Sequence, residues 1–145
     1  MNIKYNVIKS KDNSVEEVKD FVSIEEPFEM NLKYKMDGKW ITEHLSITMR
    51  TPGQDEDLIS GFLFNERIVE NFSEIENIEK IGEKVGDFNI QNRIVATINN
   101  TKNIDIGKIK KNFITNSSCG VCGKTSLITL KFIDLPDFKL SLSSI

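Results

Sequence analysis

The sequence contains few of the residues that bind metals or form disulfides. Its 145 residues include two cysteines, Cys119 and Cys122, and one histidine, His44. A structural zinc site normally takes four Cys or His ligands. A complete zinc site within one chain is therefore disfavoured, while a shared site, to which two chains each give both cysteines, stays open as an alternative.

Long apolar runs and an excess of basic residues are also absent. No stretch approaches the roughly 18 uninterrupted apolar residues of a membrane span, and residues 1–6 lack the apolar core of a signal peptide. The formal net charge of −3 argues against nucleic-acid binding through bulk charge. These absences predict a cytoplasmic protein that binds neither membranes nor nucleic acid.

Polar and apolar residues alternate most clearly just before Asp37-Gly38. This period of two predicts a strand with one buried face, and Asp37-Gly38 predicts a hairpin turn. The apolar residues of the first strand are Phe28, Met30, Leu32, Tyr34 and Met36. On the return strand, the residues predicted to share one face are Ile41, Leu45, Ile47 and Met49.

A helix is predicted after Thr51-Pro52-Gly53. The acidic run Asp55-Glu56-Asp57 suits its first turn because the helix dipole favours negative charge there. Gly61 costs about 1 kcal/mol relative to alanine within a helix, and it would be tolerated where another backbone packs close. The helix is expected to end near residues 65–67. Its apolar stripe consists of Leu58, Ile59, Phe62 and Leu63.

These elements predict an α+β fold with an antiparallel, partly curled sheet and one main packed helix. Residues 88–90 and 93–98 are predicted to form a further hairpin, turning at Gln91-Asn92. Residues 1–12 are predicted to be a flexible arm and residues 13–115 an amino-terminal α+β domain. Residues 116–145 would hold the cysteine loop and the beginning of an incomplete second domain.

The strongest candidate site is Ser117-Ser118-Cys119-Gly120-Val121-Cys122-Gly123-Lys124. Two thiols at this spacing can bind a metal, form a disulfide or relay sulfur, and the thiolate is the reactive form. The glycine after each cysteine allows a tight turn and a close approach by a partner. Residues 125–131 are helical in pattern, and a helix N-terminus there would favour the Cys122 thiolate.

Three functions and one inert role compete for this cysteine pair. A thioredoxin-like redox pair is expected within a βαβ unit, and no such pattern precedes it. Sulfur relay through a persulfide suits a glycine-flanked loop close to a helix N-terminus and a lysine. Inert cysteines usually sit among apolar neighbours. Sulfur relay is favoured, with the redox pair and the shared zinc site as alternatives.

Other residues have simpler interpretations. His44 lies on the polar face of its strand and is predicted to be a surface residue. Trp40, next to the hairpin turn, is predicted to be a packing residue. Lys108, Lys110 and Lys111 are interpreted as a solvated charged face.

Four separated segments together resemble the FdhD family of formate dehydrogenase accessory sulfurtransferases. The similarity runs from about residue 15 to residue 130, and the order and spacing of the segments make it specific. The segments are Glu25-Glu26-Pro27-Phe28-Glu29, Met49-Arg50-Thr51-Pro52-Gly53, Asp57-Leu58-Ile59-Ser60-Gly61-Phe62-Leu63 and the cysteine loop.

The resemblance implies a sulfur carrier. FdhD proteins receive sulfur from a cysteine desulfurase and pass it to the molybdenum or tungsten bis-guanine-dinucleotide cofactor, before that cofactor enters formate dehydrogenase. On this analogy Cys119 would carry the persulfide, and Cys122 would assist transfer or resolution. The implied partners are the desulfurase, formate dehydrogenase and the molybdenum cofactor, with no tightly bound cofactor expected and a homodimer as one possible assembly.

Two features differ from the family pattern. The family continues into a cytidine-deaminase-like α/β domain associated with binding the guanine nucleotide ends of the cofactor, and residues 116–145 would be only its beginning. Arg67 also stands where family members usually have glycine after the helix. The first difference leaves an alternative, in which the chain is a non-catalytic docking module or one half of a split protein that binds desulfurase or formate dehydrogenase.

Overall fold

The computed structural model describes residues 1–11 and 14–99, which form two sheets and one α-helix. The α+β class with one packed helix is therefore confirmed for this part of the chain, and no helix in it is long and apolar enough to cross a bilayer. The elements are β1 (Asn2–Lys11), β2 (Ser14–Ser23), β3 (Glu26–Met36), β4 (Lys39–Arg50), α1 (Asp55–Asn65), a short 3-10 turn (Phe72–Glu74), β5 (Ile75–Val85) and β6 (Ile90–Ile98).

The larger sheet has the strand order β4-β3-β6-β5. The β3–β4 and β5–β6 pairs are antiparallel, whereas β3 and β6 are parallel. The prediction of a purely antiparallel sheet was wrong. The two antiparallel hairpins lie side by side, and the strands at which they meet, β3 and β6, run in the same direction. The predicted cytidine-deaminase-like beginning at residues 116–145 lies outside the described residues.

The β3–β4 hairpin turns at Asp37-Gly38, as predicted. Both residues have positive φ, 49° and 78°, the combination that two-residue hairpin turns require. One face of β3 enters the core through Phe28, Met30, Leu32 and Tyr34. Met36, predicted to join them, is 45% exposed because it lies at the turn.

A β-bulge in β4 changes which residues face the core. Asn31 pairs with His44 and Met30 pairs with Ser46, so Leu45 is an extra residue in the ladder. The side-chain alternation therefore shifts by one residue at this point. Ile41 and Leu45 face the helix side, but Ile47 and Met49 pair with Glu29 and Pro27 on the opposite face. The prediction that all four apolar residues share one face was wrong.

The main core lies between the larger sheet and α1. Ile59 and Leu63 of the helix are fully buried, whereas Leu58 is 37% exposed, so the buried stripe is narrower than predicted. The core cluster consists of Phe28, Met30, Leu32, Tyr34, Leu45, Ile59, Leu63, Val69, Ile94, Ala96 and Ile98.

The helix ends at Asn65, within the predicted range, through a hydrogen-bonded reversal. The Arg67 amide donates to the Phe64 carbonyl at 3.0 Å, and the Ile68 amide donates to the Leu63 carbonyl at 2.9 Å. This is the Schellman pattern, in which the residue after the cap adopts a left-handed conformation. Arg67 occupies that position with φ 56°.

Two further segments differ from the predictions. Residues 2–11, interpreted as part of a flexible arm, form β1 and pair with β2 along its whole length, because alternating Ile3, Tyr5 and Val7 match the valines of β2. Residues 90–98 form one continuous strand, and its hairpin turns at residues 86–89 instead of Gln91-Asn92. Gly86 and Asn89, both with positive φ, make that turn.

Candidate functional site

The two cysteines predicted to carry the chemistry, Cys119 and Cys122, lie outside the described residues. The same holds for Lys108, Lys110 and Lys111. The structure describes the other three segments of the family resemblance and the polar side chains around them. These side chains form one cluster on each face of the larger sheet.

The first cluster is built on a buried ion pair between β4 and α1. Nε of Arg50, the last residue of β4, lies 2.7 Å from Oδ1 of Asp55, the first residue of α1. Their side chains are only 5% and 2% exposed. Lys80 of β5 approaches the other carboxylate oxygen, with Nζ 3.0 Å from Oδ2. Asp55 was predicted as a helix-start acid, which is confirmed, but it also pairs with two cations from the edge strands β4 and β5.

Arg50 extends this cluster across the sheet. Its Nη2 donates to Oδ1 of Asn92 at 3.0 Å and to the Gln91 carbonyl at 3.5 Å. Asn92 in turn donates from Nδ2 to Oε2 of Glu26 at 3.1 Å. The guanidinium also lies 4.7 Å from the centre of the Phe28 ring, within reach of a cation–π contact.

The Arg50 cluster, formed by Arg50, Asp55, Lys80, Asn92 and Glu26, thus includes members of two segments of the resemblance, Glu26 of the first and Arg50 of the second. It links the start of β3, the end of β4 and the start of α1 to β5 and β6. Buried charges must be paired and hydrogen-bonded to be tolerated. One donor, Nη1 of Arg50, is buried and has no hydrogen-bond partner among the described residues. The cluster contains no nucleophilic thiol or hydroxyl, so its chemistry suits holding the fold in register.

The second cluster lies on the opposite face of the sheet. Nε of Arg93 is 3.3 Å from Oε2 of Glu29, and Asn31 donates from Nδ2 to Oε1 of Glu29 at 3.2 Å. Asn31 also donates to the Ile94 carbonyl at 3.4 Å. Glu29 and Asn31 are only 8% and 7% exposed. The alternation of β3 predicts that these two side chains are solvated. In the structure, both faces of β3 are buried at the centre of the strand.

His44 belongs to this second face. It pairs across the strands with Asn31, next to the bulge. It is half-buried, and its Nε2 atom is buried with no hydrogen-bond partner in the part of the chain that the structure describes. The prediction of a simple surface residue was therefore wrong. Trp40, predicted to pack, is 52% exposed, with Nζ of Lys33 lying 5.3 Å from its ring centre.

Burial perturbs one titratable group of the core. The pKa of Tyr34 is raised, first by burial of its phenol and further by the negative charge of Glu43. Within residues 1–11 and 14–99, no three His, Cys, Asp or Glu side chains come together as ligands for a metal ion. The described clusters therefore offer ion pairing and hydrogen bonding.

Sequence reasoning alone did not single out Arg50, Asn92, Glu29 or Asn31. A signal for Arg50 was present, since an arginine ending a strand stands five residues before the acid that begins a helix. Asn92 gave no such signal because the sequence pattern predicted a turn at that residue. Glu29 and Asn31 occupied polar positions of an alternating strand, a pattern that does not report what covers the second face.

Comparisons with known proteins show the family to which these segments belong. The sequence model of the FdhD/NarQ family matches residues 25–144 of the chain. This span includes the Arg50 cluster and both cysteines. The chain belongs to the FdhD/NarQ family.

The individual proteins that resemble the chain share the name sulfur carrier protein FdhD. The sulfur carrier protein FdhD of Saccharolobus solfataricus is 30% identical over 130 residues, which cover 90% of this chain and 44% of that protein. Sulfur carrier protein FdhD of Streptomyces avermitilis is 38% identical over 123 residues, covering 83% of this chain and 40% of that protein. The chain thus spans less than half the length of these relatives. No solved structure matches the chain.

Proposed function

We propose that the protein is a sulfur carrier whose Cys119 accepts sulfur from a cysteine desulfurase as a persulfide. The observation that supports this most is the family match, which runs through residue 144 and so includes the cysteine pair. The relatives in Saccharolobus solfataricus and Streptomyces avermitilis are named sulfur carrier proteins. The cysteine loop has the glycine neighbours and the adjacent lysine that suit an accessible thiolate.

The loading step is a thiol–disulfide type of exchange. The Cys119 thiolate attacks the outer sulfur of a persulfide on the desulfurase. A new sulfur–sulfur bond forms at Cys119, the bond within the desulfurase persulfide breaks, and the desulfurase cysteine leaves as a thiolate. No net oxidation takes place, since one persulfide replaces another.

The delivery step needs two electrons if sulfur is to leave as sulfide. The Cys122 thiolate supplies them by attacking the inner sulfur of the Cys119 persulfide. A disulfide between Cys119 and Cys122 forms, and the outer sulfur leaves as hydrosulfide. A dithiol reductant must then reduce the disulfide before another cycle. Cys122 is the resolving residue in this scheme.

The acceptor in the proposal is the molybdenum or tungsten bis-guanine-dinucleotide cofactor, which is a substrate here and not a resident group. Delivery of sulfur to it would be required for formate dehydrogenase activity. Desulfurase, formate dehydrogenase and the cofactor are accordingly the proposed partners, and the cytoplasm is the proposed location. The resemblance of the four sequence segments supports this finer assignment.

Mass spectrometry of the intact chain after incubation with an active cysteine desulfurase and cysteine tests the loading step. The expected result is a gain of one sulfur atom, located on Cys119 by peptide mapping. Cys119→Ala abolishes the adduct. Cys122→Ala retains it, and the persulfide then persists because no resolving thiol is present. A folded Cys122→Ala chain that gains no sulfur on Cys119 contradicts the proposal, since this variant lacks the thiol that could release the sulfur again.

A second candidate is a docking module without chemistry of its own, or one half of a split protein. In this case Cys119→Ala binds desulfurase or formate dehydrogenase as tightly as the unchanged chain, and the chain alone never restores formate dehydrogenase activity. Persulfide formation on Cys119 in the loading experiment separates the two candidates.

A zinc site shared between two chains is tested independently by metal analysis. A site built from two cysteine pairs holds about half a zinc ion per chain. A zinc content well below that value after purification without chelators excludes the shared site.

A further inference from the structure

Two exposed phenylalanines stack against each other at the end of α1. Phe64 lies in the last turn of the helix and Phe72 in the 3-10 turn, and their ring centres are 5.2 Å apart with 24° between the ring planes. The two residues remain 45% and 58% exposed. Stacking thus removes only part of each ring from water. Covering the remainder is favourable, because association gains free energy from the apolar area that it buries.

A shallow groove continues from Phe72 along the start of β5. Its volume is about 360 Å³, and its walls include Glu56 and Ser60 of α1, Phe72, and Glu76 of β5. Glu56, Ser60 and Phe64 follow one another at intervals of four residues, so they lie on the same side of the helix. Phe72 belongs to both the ring pair and the groove. These five residues therefore form one surface, here called the Phe72 surface.

The segment that carries the Phe72 surface is strongly acidic. Between positions 56 and 76 it has one basic residue, Arg67. Lys80, the next cation along the chain, is held by the buried carboxylate of Asp55, with 3.0 Å between Nζ and Oδ2. An exposed apolar patch with charges at its rim is typical of a protein interaction site. The acidic residues of the segment are Glu56, Asp57, Glu66, Glu70, Glu74 and Glu76.

The stacked rings also have a simpler role, which is to hold the 3-10 turn against the helix. That role requires the contact between Phe64 and Phe72 but neither the groove nor the acids beside it. Glu56 and Glu76 are exposed, and a change of their charge leaves both rings in place. Variants of these two acids therefore separate a docking role from a role in packing.

We propose that the Phe72 surface docks the cysteine desulfurase that loads Cys119, through a basic region of the desulfurase with an apolar side chain at its centre. This proposal rests on the proposed sulfur-carrier function. A lysine or arginine of the partner is attracted by the acidic rim. It can also lie over an exposed phenylalanine ring in a cation–π contact. The apolar side chain enters the groove beside Phe72.

The charge of the surface favours a protein partner over the proposed cofactor. A guanine dinucleotide carries anionic phosphate groups, which an acidic surface repels. A protein can present lysine and arginine side chains to the same surface. Loading requires the chain to meet the desulfurase in every cycle, and attraction between opposite charges accelerates such an encounter. Formate dehydrogenase, the other proposed protein partner, is the competing occupant in the test.

The size of the surface predicts a transient complex. A fully exposed phenylalanine side chain presents about 200 Å², so the uncovered parts of the two rings amount to roughly 200 Å² together. Transient complexes bury less than about 1,200 Å² in total. Weak docking suits a carrier, because the carrier has to leave its donor before it reaches an acceptor. The expected Kd is in the micromolar range and rises with salt, which screens the charges.

Calorimetric titration of the Cys119→Ala chain with the desulfurase tests docking without sulfur transfer. Adding Phe72→Ala is expected to raise the Kd by about tenfold, because it removes the centre of the surface. Adding Glu56→Lys together with Glu76→Lys is expected to raise the Kd by a similar factor, because two attractive charges become repulsive. This charge-reversed chain should also depend less on salt between about 50 and about 500 mM.

Two matched controls accompany these variants. Trp40→Ala removes another aromatic side chain of similar exposure, 52%, on the β3–β4 hairpin. Glu83→Lys reverses an exposed acid that lies on the same strand as Glu76, seven residues further along. Both controls are expected to leave the Kd within about twofold of the unchanged value. Circular dichroism of every variant verifies that it is folded.

Loading kinetics connect docking with sulfur transfer. In the Cys122→Ala chain, adding Phe72→Ala is expected to lower the rate constant for loading by the desulfurase about tenfold when the chain is far from saturating. Sodium tetrasulfide, a small donor, requires no docking: the Cys119 thiolate takes its terminal sulfur, one sulfur–sulfur bond forms, another breaks, and trisulfide leaves. This donor should load both chains equally fast. A failure of both donors contradicts the sulfur-carrier function, while calorimetry separately decides whether the surface docks the desulfurase.

Four outcomes overturn the docking proposal. The first is a Cys119→Ala chain that does not bind the desulfurase at all. In the second, Phe72→Ala and the charge-reversed chain are folded and bind it as tightly as before. In the third, these variants lose affinity for formate dehydrogenase but not for the desulfurase, which assigns the surface to a different partner. The fourth is an equal loss from Glu83→Lys and from the charge-reversed chain, which assigns the effect to net charge.

Discussion

Nε of Arg50 lies 2.7 Å from Oδ1 of Asp55 with both side chains almost wholly removed from solvent. The four residues between them carry the chain from the last residue of β4 to the first residue of α1. The ion pair thus fixes the direction in which the helix leaves the sheet. That direction decides which helix face, with Ile59 and Leu63, meets the core.

Asp55→Asn is expected to lower the free energy of unfolding by about 3 kcal/mol, because it leaves the charges of Arg50 and Lys80 without their anion. Asp57→Asn is the matched control, since Asp57 lies in the same helical turn but is exposed. Removing the Asp57 charge affects only its interaction with the helix dipole, which is worth at most about 1 kcal/mol. Urea denaturation of both variants measures the difference, and equal effects contradict a stabilising ion pair.

Arg67→Gly is expected to raise the free energy of unfolding by about 1 kcal/mol. Arg67 is exposed and has φ 56°, a conformation that costs an L-residue with a Cβ about 1–2 kcal/mol. Glycine removes that cost and keeps the Schellman hydrogen bonds. Arg67→Ala removes the same charge but retains the Cβ, so it should give no comparable gain. A similar gain from both variants assigns the effect to charge.

Gly61→Ala is expected to stabilise the chain by about 0.5–1 kcal/mol, because Gly61 lies within α1 and alanine is the better helix former. A Cβ at this position meets no described atom within 4 Å. Within residues 1–11 and 14–99, no other backbone packs close to Gly61. Gly38→Ala is the control: its surroundings are equally open, but φ is 78°, so alanine is strained there and stability falls. Thermal unfolding compares the two.

The sequence predicted the elements that depend on local patterns. The alternation in β3, the Asp37-Gly38 turn and the apolar side of α1 are each set by residues close together in the chain. All three are found, with ends displaced by a few residues. The left-handed conformation of Arg67 after the helix was not predicted, although the resemblance implied glycine at that position.

Long-range features were not predictable in the same way. The extra residue Leu45 changes the face of Ile47, yet nothing in the local pattern distinguishes a bulged strand from a regular one. The parallel pairing of β3 with β6 depends on how two hairpins meet. Burial of Glu29 and Asn31 depends on what covers the second face of the sheet. Each of these is decided by distant residues.

The same distinction between local patterns and long-range contacts applies to the candidate site. The cysteine loop was recognisable because its residues are adjacent, and its assignment to Cys119 and Cys122 stays a prediction. The Arg50 cluster gathers residues from five strands and helices, up to 66 positions apart. Only a three-dimensional arrangement shows that Asn92 connects Arg50 with Glu26. Only Glu26 and Arg50 of its members stand in the segments of the resemblance, and the contacts between them cannot be read from the sequence.

Tyr34 predicts how stability depends on alkaline pH. Its pKa is raised above the ordinary value of 10.0 by burial and then by Glu43. An unfolded chain therefore loses this proton at a lower pH than the folded chain. The stabilisation is fully present below the unfolded pKa of about 10 and is lost as pH rises through the folded pKa.

Tyr34→Phe removes the ionisable group from the core and is expected to make the free energy of unfolding less dependent on pH above about 10. Tyr5→Phe is the matched control, because Tyr5 is 60% exposed and its phenol is not part of the core. Urea denaturation at a series of pH values measures both slopes. If the unchanged chain and Tyr34→Phe lose stability in parallel as the solution becomes alkaline, burial of the Tyr34 phenol does not control the response.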